Sequence, residues 1–281
     1  MTDAAPPTPE QPLEDQVRHE TRAGVSWITL NRPEAHNAIT PDQRNRVIHL
    51  LEAASADLGV RCVVLTATGK GFCTGADLRA RRDPFPRPDD APERAAGDVS
   101  RVIREGAQRL MAAVLDCEKP VIAAVNGTAA GIGAHLAFSC DLVVASERAS
   151  FTEVFVRRGL VPDGGGAYLL PRLIGIQKTK ELLFFGDKLS AADAERLGLV
   201  NKVVPDDELL AEAGAWAARI ATGPTRALSL TKWLVNRSLD TDRAGAFADE
   251  AVAQELNMTT ADANEGVAAF VERRDTNFRG W

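Results

Sequence analysis

Hydrophobic and polar positions follow one pattern up to about residue 205 and a different pattern after it. In the first part, short runs that are apolar on both faces alternate with stretches of 3.6-residue periodicity. The runs are Val25–Leu30, Arg61–Thr66, Val121–Val125 and Leu142–Ala145. Strands with two apolar faces are typical of a parallel sheet that is covered by helices on each side. The sequence therefore predicts a buried α/β core.

Helical patterns separate these strands and dominate the end of the chain. One helix is predicted to begin after Thr40, where a threonine N-cap precedes a proline at the first helical position, and another to span Val99–Leu115. After residue 205 only helical periodicity is left, at Asp206–Ala221, Thr225–Asn236, Arg243–Met258 and Asp262–Arg274. Because these helices have wide apolar faces, we expect the chain end to pack on a neighbouring subunit.

These patterns divide the chain into three predicted regions. The proline-rich, acidic residues 1–16 are predicted to form a disordered tail. Residues 17–205 form the α/β body, and residues 206–281 form a helical C-terminal region. Within the body, Asp83–Asp98 is rich in proline and charge and is predicted to be a loop.

Composition narrows the class of protein. The 281 residues carry 39 acidic and 33 basic side chains, a formal net charge of −6, and 45% of them are hydrophobic. This composition fits a globular protein and argues against nucleic acid as the main partner. No apolar run approaches the roughly 20 residues that span a bilayer, so no membrane association is expected. The N-terminus lacks the basic start and apolar run of a signal peptide, which favours a cytoplasmic location.

The cysteines do not indicate a metal centre. They do not form CxxC pairs and no histidine cluster accompanies them, which disfavours a zinc site. They are Cys62, Cys73, Cys117 and Cys140. Cys73 lies in a glycine-rich turn but has no base nearby in the sequence, so a nucleophilic role is not expected for it.

Three glycine-rich stretches are the candidate functional segments. Gly69–Arg79 and Asn126–His135 each follow a predicted strand, and in Gly159–Pro171 an aspartate precedes three glycines. A strand, a glycine turn and a helix start leave free backbone N–H groups that can bind an anion. The patterns GxxxxGK[ST], GxGxxG and GxSxG are absent, which disfavours kinases, Rossmann dehydrogenases and serine hydrolases.

Taken together and in this order, the motifs resemble those of the crotonase superfamily, the enoyl-CoA hydratase/isomerase family. The resemblance extends from about Val17 to Gly280. The residues that carry it are NRPEAHNAIT, GKGFCTGADL, KPVIAAVNGTAAGIGAHLAFSCDLVVAS, GLVPDGGGAYLLPRLIG and EGVAAFVERRDTNFRG, at Asn31–Thr40, Gly69–Leu78, Lys119–Ser146, Gly159–Gly175 and Glu265–Gly280.

The resemblance implies a fold, a substrate class and a shared catalytic device. The fold would be a spiral of ββα units with a C-terminal helical region that builds homotrimers or homohexamers. The substrate would be an acyl-CoA thioester, with no cofactor apart from the coenzyme A of the substrate itself. Two backbone N–H groups, by motif position those of Ala76 and Ile132, would stabilise the enolate oxygen. Each such donor contributes roughly 3 kcal/mol to the transition state.

The resemblance also places residues on the coenzyme A path. Asp77, Leu78 and Arg79 follow the first donor and would line the pantetheine or phosphate path. Phe270 and Arg273 match positions that hold the nucleotide end, in the family also from the adjacent subunit. For Arg273 the alternative is a solvated charge on the last helix.

The sequence departs from the hydratase pattern at the residues that handle water. The two hydratase glutamate positions hold His135 and Phe155 here. Asp163 stands where hydratases usually have glycine, and a carboxylate there is typical of the dienoyl-CoA isomerases and of the ring-1,2-epoxyphenylacetyl-CoA isomerase group. A single carboxylate above an enolate can remove a proton from one carbon and return it to another. The alternative is that Asp163 only caps the helix that follows.

Two further side chains are candidates for auxiliary roles. His135 either faces the substrate or is a buried, hydrogen-bonded core histidine. Glu153 lies two residues before Phe155, so in an extended segment it would face the same way and could replace a missing carboxylate. Tyr168 is expected to be part of the core.

Four functions are compatible with these residues. The leading hypothesis is an acyl-CoA isomerase in which Asp163 transfers the proton. The second is an enoyl-CoA hydratase in which His135 or Glu153 acts on water together with Asp163. The others are an acyl-CoA-binding protein without catalysis and a thioester hydrolase.

Overall fold

The computed structural model, which describes residues 11–79, 88–93 and 95–281, has two β-sheets surrounded by helices. The larger sheet has the order β1-β2-β3-β5-β7-β10, and only its β1–β2 pair is antiparallel. The smaller sheet has the order β4-β6-β8-β9, with β8 and β9 antiparallel. The strands are β1 Val17–Arg22, β2 Val25–Leu30, β3 Cys62–Ala67, β4 Gly71–Cys73, β5 Val121–Val125, β6 Thr128–Ala130, β7 Leu142–Ser146, β8 Ser150–Thr152, β9 Lys188–Ser190 and β10 Lys202–Val204.

Helices connect the strands and form the C-terminal region. A π-helical segment, Arg104–Gln108, joins α3 to α4, and short 3-10 turns lie at Pro33–Ala35 and Val156–Arg158. The α-helices are α1 Leu13–Gln16, α2 Pro41–Ala56, α3 Asp98–Ile103, α4 Arg109–Leu115, α5 Ile132–Ser139, α6 Gly166–Ile174, α7 Ile176–Phe185, α8 Ala191–Arg196, α9 Leu209–Ala221, α10 Thr225–Ser238, α11 Arg243–Met258 and α12 Ala261–Glu272. Among the described residues, none of these helices combines the length and the apolar run needed to cross a membrane.

The chain passes repeatedly from the large sheet to the small one. β3 leads to β4 through residues 68–70, β5 to β6 through 126–127, and β7 to β8 through 147–149. Each pair of strands is followed by helical structure before the chain returns to the large sheet. This repetition confirms the expected α/β spiral of ββα units. It also places the small sheet beyond the carboxyl ends of the parallel strands, next to the glycine-rich turns.

Both faces of the large sheet are covered, as the two-sided apolar strands predict. On one face, buried side chains of β3 and β5 such as Leu65 and Val125 belong to the same cluster as Leu51 of α2 and Leu110 of α4. On the other face, α9 packs across the strands. The side chains of that second cluster include Trp27, Val64, Ile122, Ala213 and Ala217. The α9 helix therefore belongs to the core, so residue 205 is where the strands end but not where packing with the body ends.

The start of the chain differs from the prediction at residues 11–22. Residues 11–16 of the predicted tail contain the helix α1. This helix is held next to the end of β2 because the Asn31 side-chain amide donates a hydrogen bond to the Asp15 carbonyl. The rest of the predicted tail, residues 1–10, lies outside the described residues. The strand β1 was missed because five of its six residues are exposed and its sequence, VRHETR, has no apolar run. Part of the predicted Asp83–Asp98 loop falls outside the described residues; residues 88–93 lie within no helix or strand.

The C-terminal helices α10–α12 have large exposed apolar side chains. Among them are Trp233, Phe247, Leu256, Val267 and Phe270. The end of the chain is fastened next to the start of β3, where the Arg61 guanidinium donates to the Phe278 and Gly223 carbonyls. Asp262 of α12 in turn accepts the N–H groups of Arg279 and Gly280.

Candidate active site

The turn after β4 presents the backbone of Ala76. Gly75 has φ +103°, a left-handed conformation that favours glycine. Ile39 donates its N–H to the Gly75 carbonyl at 2.8 Å and accepts the Asp77 N–H at 3.0 Å. In such a parallel bridge the residue between the two bonds turns its own N–H away from the partner strand. The Ala76 N–H therefore points away from Ile39.

The second candidate donor is at the start of α5. Gly131, with φ 53° and ψ −119°, precedes the helix, and Ile132 is its first residue. The first N–H groups of a helix have no partner within the helix and lie at the positive end of its dipole. The Ile132 N–H is therefore placed to bind a negative oxygen.

Glycines bring the two turns into backbone contact. A Cβ on Gly133 would overlap the carbonyl oxygen of Cys73, and a Cβ on Gly75 would lie 3.2 Å from the Ala130 oxygen. Only residues without a side chain allow α5 to approach the end of β4 so closely. The structure thus brings the Ala76 and Ile132 turns together, as the sequence predicts.

A third turn brings Asp163 to the same place. A Cβ on Gly164, the next residue, would lie 3.6 Å from Cγ1 of Ile132, so the aspartate is carried by a turn that rests on the start of α5. Asp163 itself is partly buried. The N-cap position of α6 is held by Gly165, two residues later, in a left-handed conformation. The structure therefore does not support helix capping as the role of Asp163.

His135 and Glu153 are paired with each other in the interior. The imidazole Nε2 lies 2.9 Å from Oε2 of Glu153, and the ring stacks on Phe155 with centroids 5.3 Å apart. The two residues are 0% and 4% exposed. This geometry supports the buried-histidine interpretation and corrects the expectation that either side chain faces the substrate. Neither His135 Nδ1 nor Glu153 Oε1 has a hydrogen-bond partner among the described residues.

Asp77 is buried rather than open to a ligand. Its carboxylate accepts the Arg79 N–H at 3.0 Å and a guanidinium N–H of Arg32 at 3.1 Å. Burial alone raises the pKa of Asp77, but these hydrogen bonds and the two positive charges bring the pKa below its ordinary value. A direct contact with coenzyme A is thus not what the structure shows for Asp77: it holds the turn after Ala76. Leu78 and Arg79, in contrast, are largely exposed.

Phe270 and Arg273 are both exposed at the end of α12. The contacts that fasten this helix lie at the amino end of β3, whereas Ala76 follows its carboxyl end. A six-residue strand spans about 20 Å. The residues that follow α12 are therefore held at the opposite end of β3 from the Ala76 turn.

Several residues that shape the site were not predicted. Asn37 is buried with a left-handed backbone, and its amide donates to the Thr68 and Gly71 carbonyls, while Asn126 donates to the Gly69 carbonyl. These asparagines fix the chain that leads to β4. Both lie in the quoted motifs, so the motifs could have identified them. Arg32, the partner of Asp77, lies in the first motif as well.

Two further expectations can be compared with the structure. Burial raises the pKa of the Cys73 thiol to about 11, so the thiol stays protonated near neutral pH and is a poor nucleophile. Tyr168 is not in the core: its hydroxyl donates to Asp240 at 2.6 Å and Arg172 lies over its ring. The residues that the structure describes contain no group of three metal-ligating side chains.

Comparison with known proteins identifies close relatives over nearly the whole chain. Residues 20–280 match the family model described as enoyl-CoA hydratase/isomerase. The 1,2-epoxyphenylacetyl-CoA isomerase of Escherichia coli is 37% identical over 92% of this chain and 95% of its own. The crotonyl-CoA hydratase of Syntrophomonas wolfei is 38% identical over 92% and 96%. The solved structure of an enoyl-CoA hydratase/isomerase from Cupriavidus metallidurans superposes with a TM-score of 0.85 at 36% identity, covering 95% of this chain and 97% of that one.

Proposed function

This chain belongs to the enoyl-CoA hydratase/isomerase family of enzymes that act on acyl-CoA, and we propose that its reaction is double-bond isomerisation of an unsaturated acyl-CoA. The observation that carries the proposal is the contact between the Asp163 turn and Ile132. The backbone turn that carries Asp163 rests on the start of α5, and we propose that the thioester oxygen binds there. The reaction needs no group beyond the chain and its substrate.

The proposed mechanism uses the two backbone donors and one carboxylate. With the thioester oxygen bound by the N–H groups of Ala76 and Ile132, the Asp163 carboxylate removes a proton from C2 of a 3-enoyl-CoA. The electron pair of the C–H bond becomes part of a dienolate whose negative oxygen the two donors stabilise. Asp163 then returns the proton to C4, and the double bond is left between C2 and C3. A positioned base of this kind contributes about 10²- to 10⁴-fold to the rate.

The side chains near Asp163 favour proton transfer over addition of water. The positions of the two hydratase glutamates hold His135 and Phe155, and both are buried against each other. Glu153 is the nearest carboxylate to them, but it is bonded to His135. Asp163 is therefore the carboxylate to which we assign the chemistry.

Hydration is the second candidate, because several relatives carry hydratase names, including the crotonyl-CoA hydratase of Syntrophomonas wolfei. The two reactions are distinguished by incubating the purified protein with 2-enoyl- and 3-enoyl-CoA in ¹⁸O-water and analysing the products by mass spectrometry. Interconversion of the two enoyl forms without ¹⁸O is the expected result. A 3-hydroxyacyl-CoA containing ¹⁸O would overturn the isomerase proposal. Release of free CoA would indicate thioester hydrolysis, and binding without any product would indicate an acyl-CoA-binding protein.

For the rest of the substrate, we assign the exposed Leu78 and Arg79 to the coenzyme A path beyond the first donor. Phe270 and Arg273 are exposed at the end of α12, and we propose that they contact the nucleotide end from a neighbouring subunit. The exposed apolar side chains of α10–α12 would be covered in that assembly. We therefore propose a homotrimer or homohexamer, which analytical ultracentrifugation would test.

A further inference from the structure

The buried pair of His135 and Glu153 is not used by the proposed mechanism, yet it lies directly under the residues that carry Asp163. The pair is held from two sides, since Glu153 follows β8 and the Phe155 ring is stacked on the imidazole at an angle of 16°. His135 is on α5, three residues after Ile132. The imidazole thus extends from the first turn of α5, the helix that carries the second donor, to Glu153 and Phe155.

The His135 imidazole lies directly against the backbone of the turn that carries Asp163. A Cβ on Gly164 would lie 2.9 Å from Nδ1, and a Cβ on Gly166 would overlap Nε2. The two glycines on either side of Gly165 therefore rest on the ring itself. Because the ring has no exposed surface, the turn cannot move towards α5 unless the ring moves first.

The hydrogen bond to Glu153 fixes the orientation of that ring. An imidazole that lost this partner would leave a buried polar atom without a hydrogen bond, which is costly, and the ring could rotate to recover one. A ring in another orientation would present a different surface to Gly164 and Gly166. Glu153 thereby acts on the turn through His135.

We propose that His135 and Glu153 are positioning residues that set the location of Asp163 relative to the Ala76 and Ile132 donors. This inference rests on the proposed function, because it takes Asp163 as the group that transfers the proton. A displacement of about 1 Å at a reacting group can cost roughly 10²-fold in rate. Disturbing the pair should therefore lower kcat while leaving the binding of acyl-CoA intact.

The test is a double-mutant cycle on isomerisation kinetics. His135→Gln and Glu153→Gln are each measured alone and in combination with Asp163→Asn. Phe138→Leu is the matched control, because Phe138 is on the same helix but packs on Phe151. In the parent chain, we expect His135→Gln to lower kcat about 10- to 100-fold with little change in KM. In the Asp163→Asn background, it should change the residual rate by less than about twofold, because the pair acts through the aspartate.

Two measurements independent of activity support the cycle. Hydrogen exchange of peptides covering residues 159–169 should accelerate in His135→Gln and not in Phe138→Leu. Gly166→Ala should lower the melting temperature of the parent chain, because its Cβ would overlap the imidazole. The same substitution should be tolerated when combined with His135→Ala, which removes the ring. This rescue keeps the test informative if one of the single variants folds poorly.

The outcomes separate this inference from the proposed function. Equal losses of kcat in the parent and Asp163→Asn backgrounds, or unchanged exchange of residues 159–169, would overturn the positioning role. Full activity of Asp163→Asn alone would instead overturn the proposed function. In that case the exchange and rescue measurements still decide whether the pair fixes the turn.

Discussion

The two sides of the candidate site differ in the groups that make their contacts, which are backbone atoms on one side and side chains on the other. On the carbonyl side, the Ala76 and Ile132 turns touch through backbone, and glycines at 75 and 133 allow the approach. On the proton-transfer side, the turn that carries Asp163 rests on the side chain of His135, which is bonded to Glu153 and stacked on Phe155. The close approach of the two donor turns requires the absence of side chains at positions 75 and 133, whereas the second side depends on which side chains are present.

Under the proposed function, this difference separates stabilisation of the thioester oxygen from movement of the proton. A pair of backbone donors stabilises the oxygen of any acyl-CoA enolate, whatever happens to the carbon atoms. The side chains opposite decide whether a proton is moved or water is added. Changes that force the two donor turns apart should therefore abolish every reaction, and removal of the Asp163 carboxylate should abolish one reaction while binding remains.

The largest effect is expected for Gly133→Ala. Its Cβ would overlap the Cys73 carbonyl, so α5 and the β4 turn would have to separate. We expect a loss of at least about 3 kcal/mol in the free energy of unfolding, together with loss of acyl-CoA binding. Urea denaturation and calorimetric titration measure the two. Gly266→Ala on α12 is the control, since its Cβ would meet only ordinary contacts with Phe278; a Gly133→Ala protein as stable as this control would contradict the tight contact.

The second-largest effect is expected for Asp163→Asn, on the other side of the site. Asp163→Asn keeps the size of the side chain but removes the base, so kcat for isomerisation should fall about 10²- to 10⁴-fold. KM and thermal stability should stay close to those of the parent chain, because the two backbone donors are untouched. Asp240→Asn is the control, since Asp240 bonds to Tyr168 of α6, the helix that follows Asp163, and lies outside the proposed site. Near-normal turnover of Asp163→Asn would remove the basis for treating the two sides as separate in function.

The sequence predicted the carbonyl side better than the Asp163 side for a physical reason. A backbone turn that needs glycine is visible in the local sequence, so GKGFCTG and NGTAAGIG indicated both turns, and the family resemblance then assigned Ala76 and Ile132 as donors by motif position. The His135–Glu153 bond joins residues 18 positions apart, and nothing local shows that they meet. Strands with apolar residues on both faces were found at Val25–Leu30 and Val121–Val125, whereas the polar β1 and the three-residue strands of the small sheet gave no periodic pattern.

A smaller effect is expected for the Asp77 carboxylate, which supports the carbonyl side with a side chain. The folded-state pKa of Asp77 is depressed, so its contribution to stability is present above its ordinary pKa of 3.8 and is lost as the pH falls through the folded value. We expect Asp77→Asn to lower the free energy of unfolding by about 1 kcal/mol at pH 7 and by less near pH 3. Urea denaturation at several pH values measures this. A loss that is equally large at pH 3 would show that the charge of Asp77 is not what stabilises the turn.

The smallest effect is expected for Ile132→Val. The donor at this position is the backbone N–H, and valine keeps the Cγ1 atom that faces Gly164 while removing only the terminal methyl group. Turnover should therefore change by less than about threefold, with a stability loss of about 1 kcal/mol or less. Ile132→Ala, which removes Cγ1 as well, should lower kcat further than valine does without changing KM. If valine weakened acyl-CoA binding as much as Gly133→Ala, the carbonyl side would depend on side chains after all, and the contrast between the two sides would be wrong.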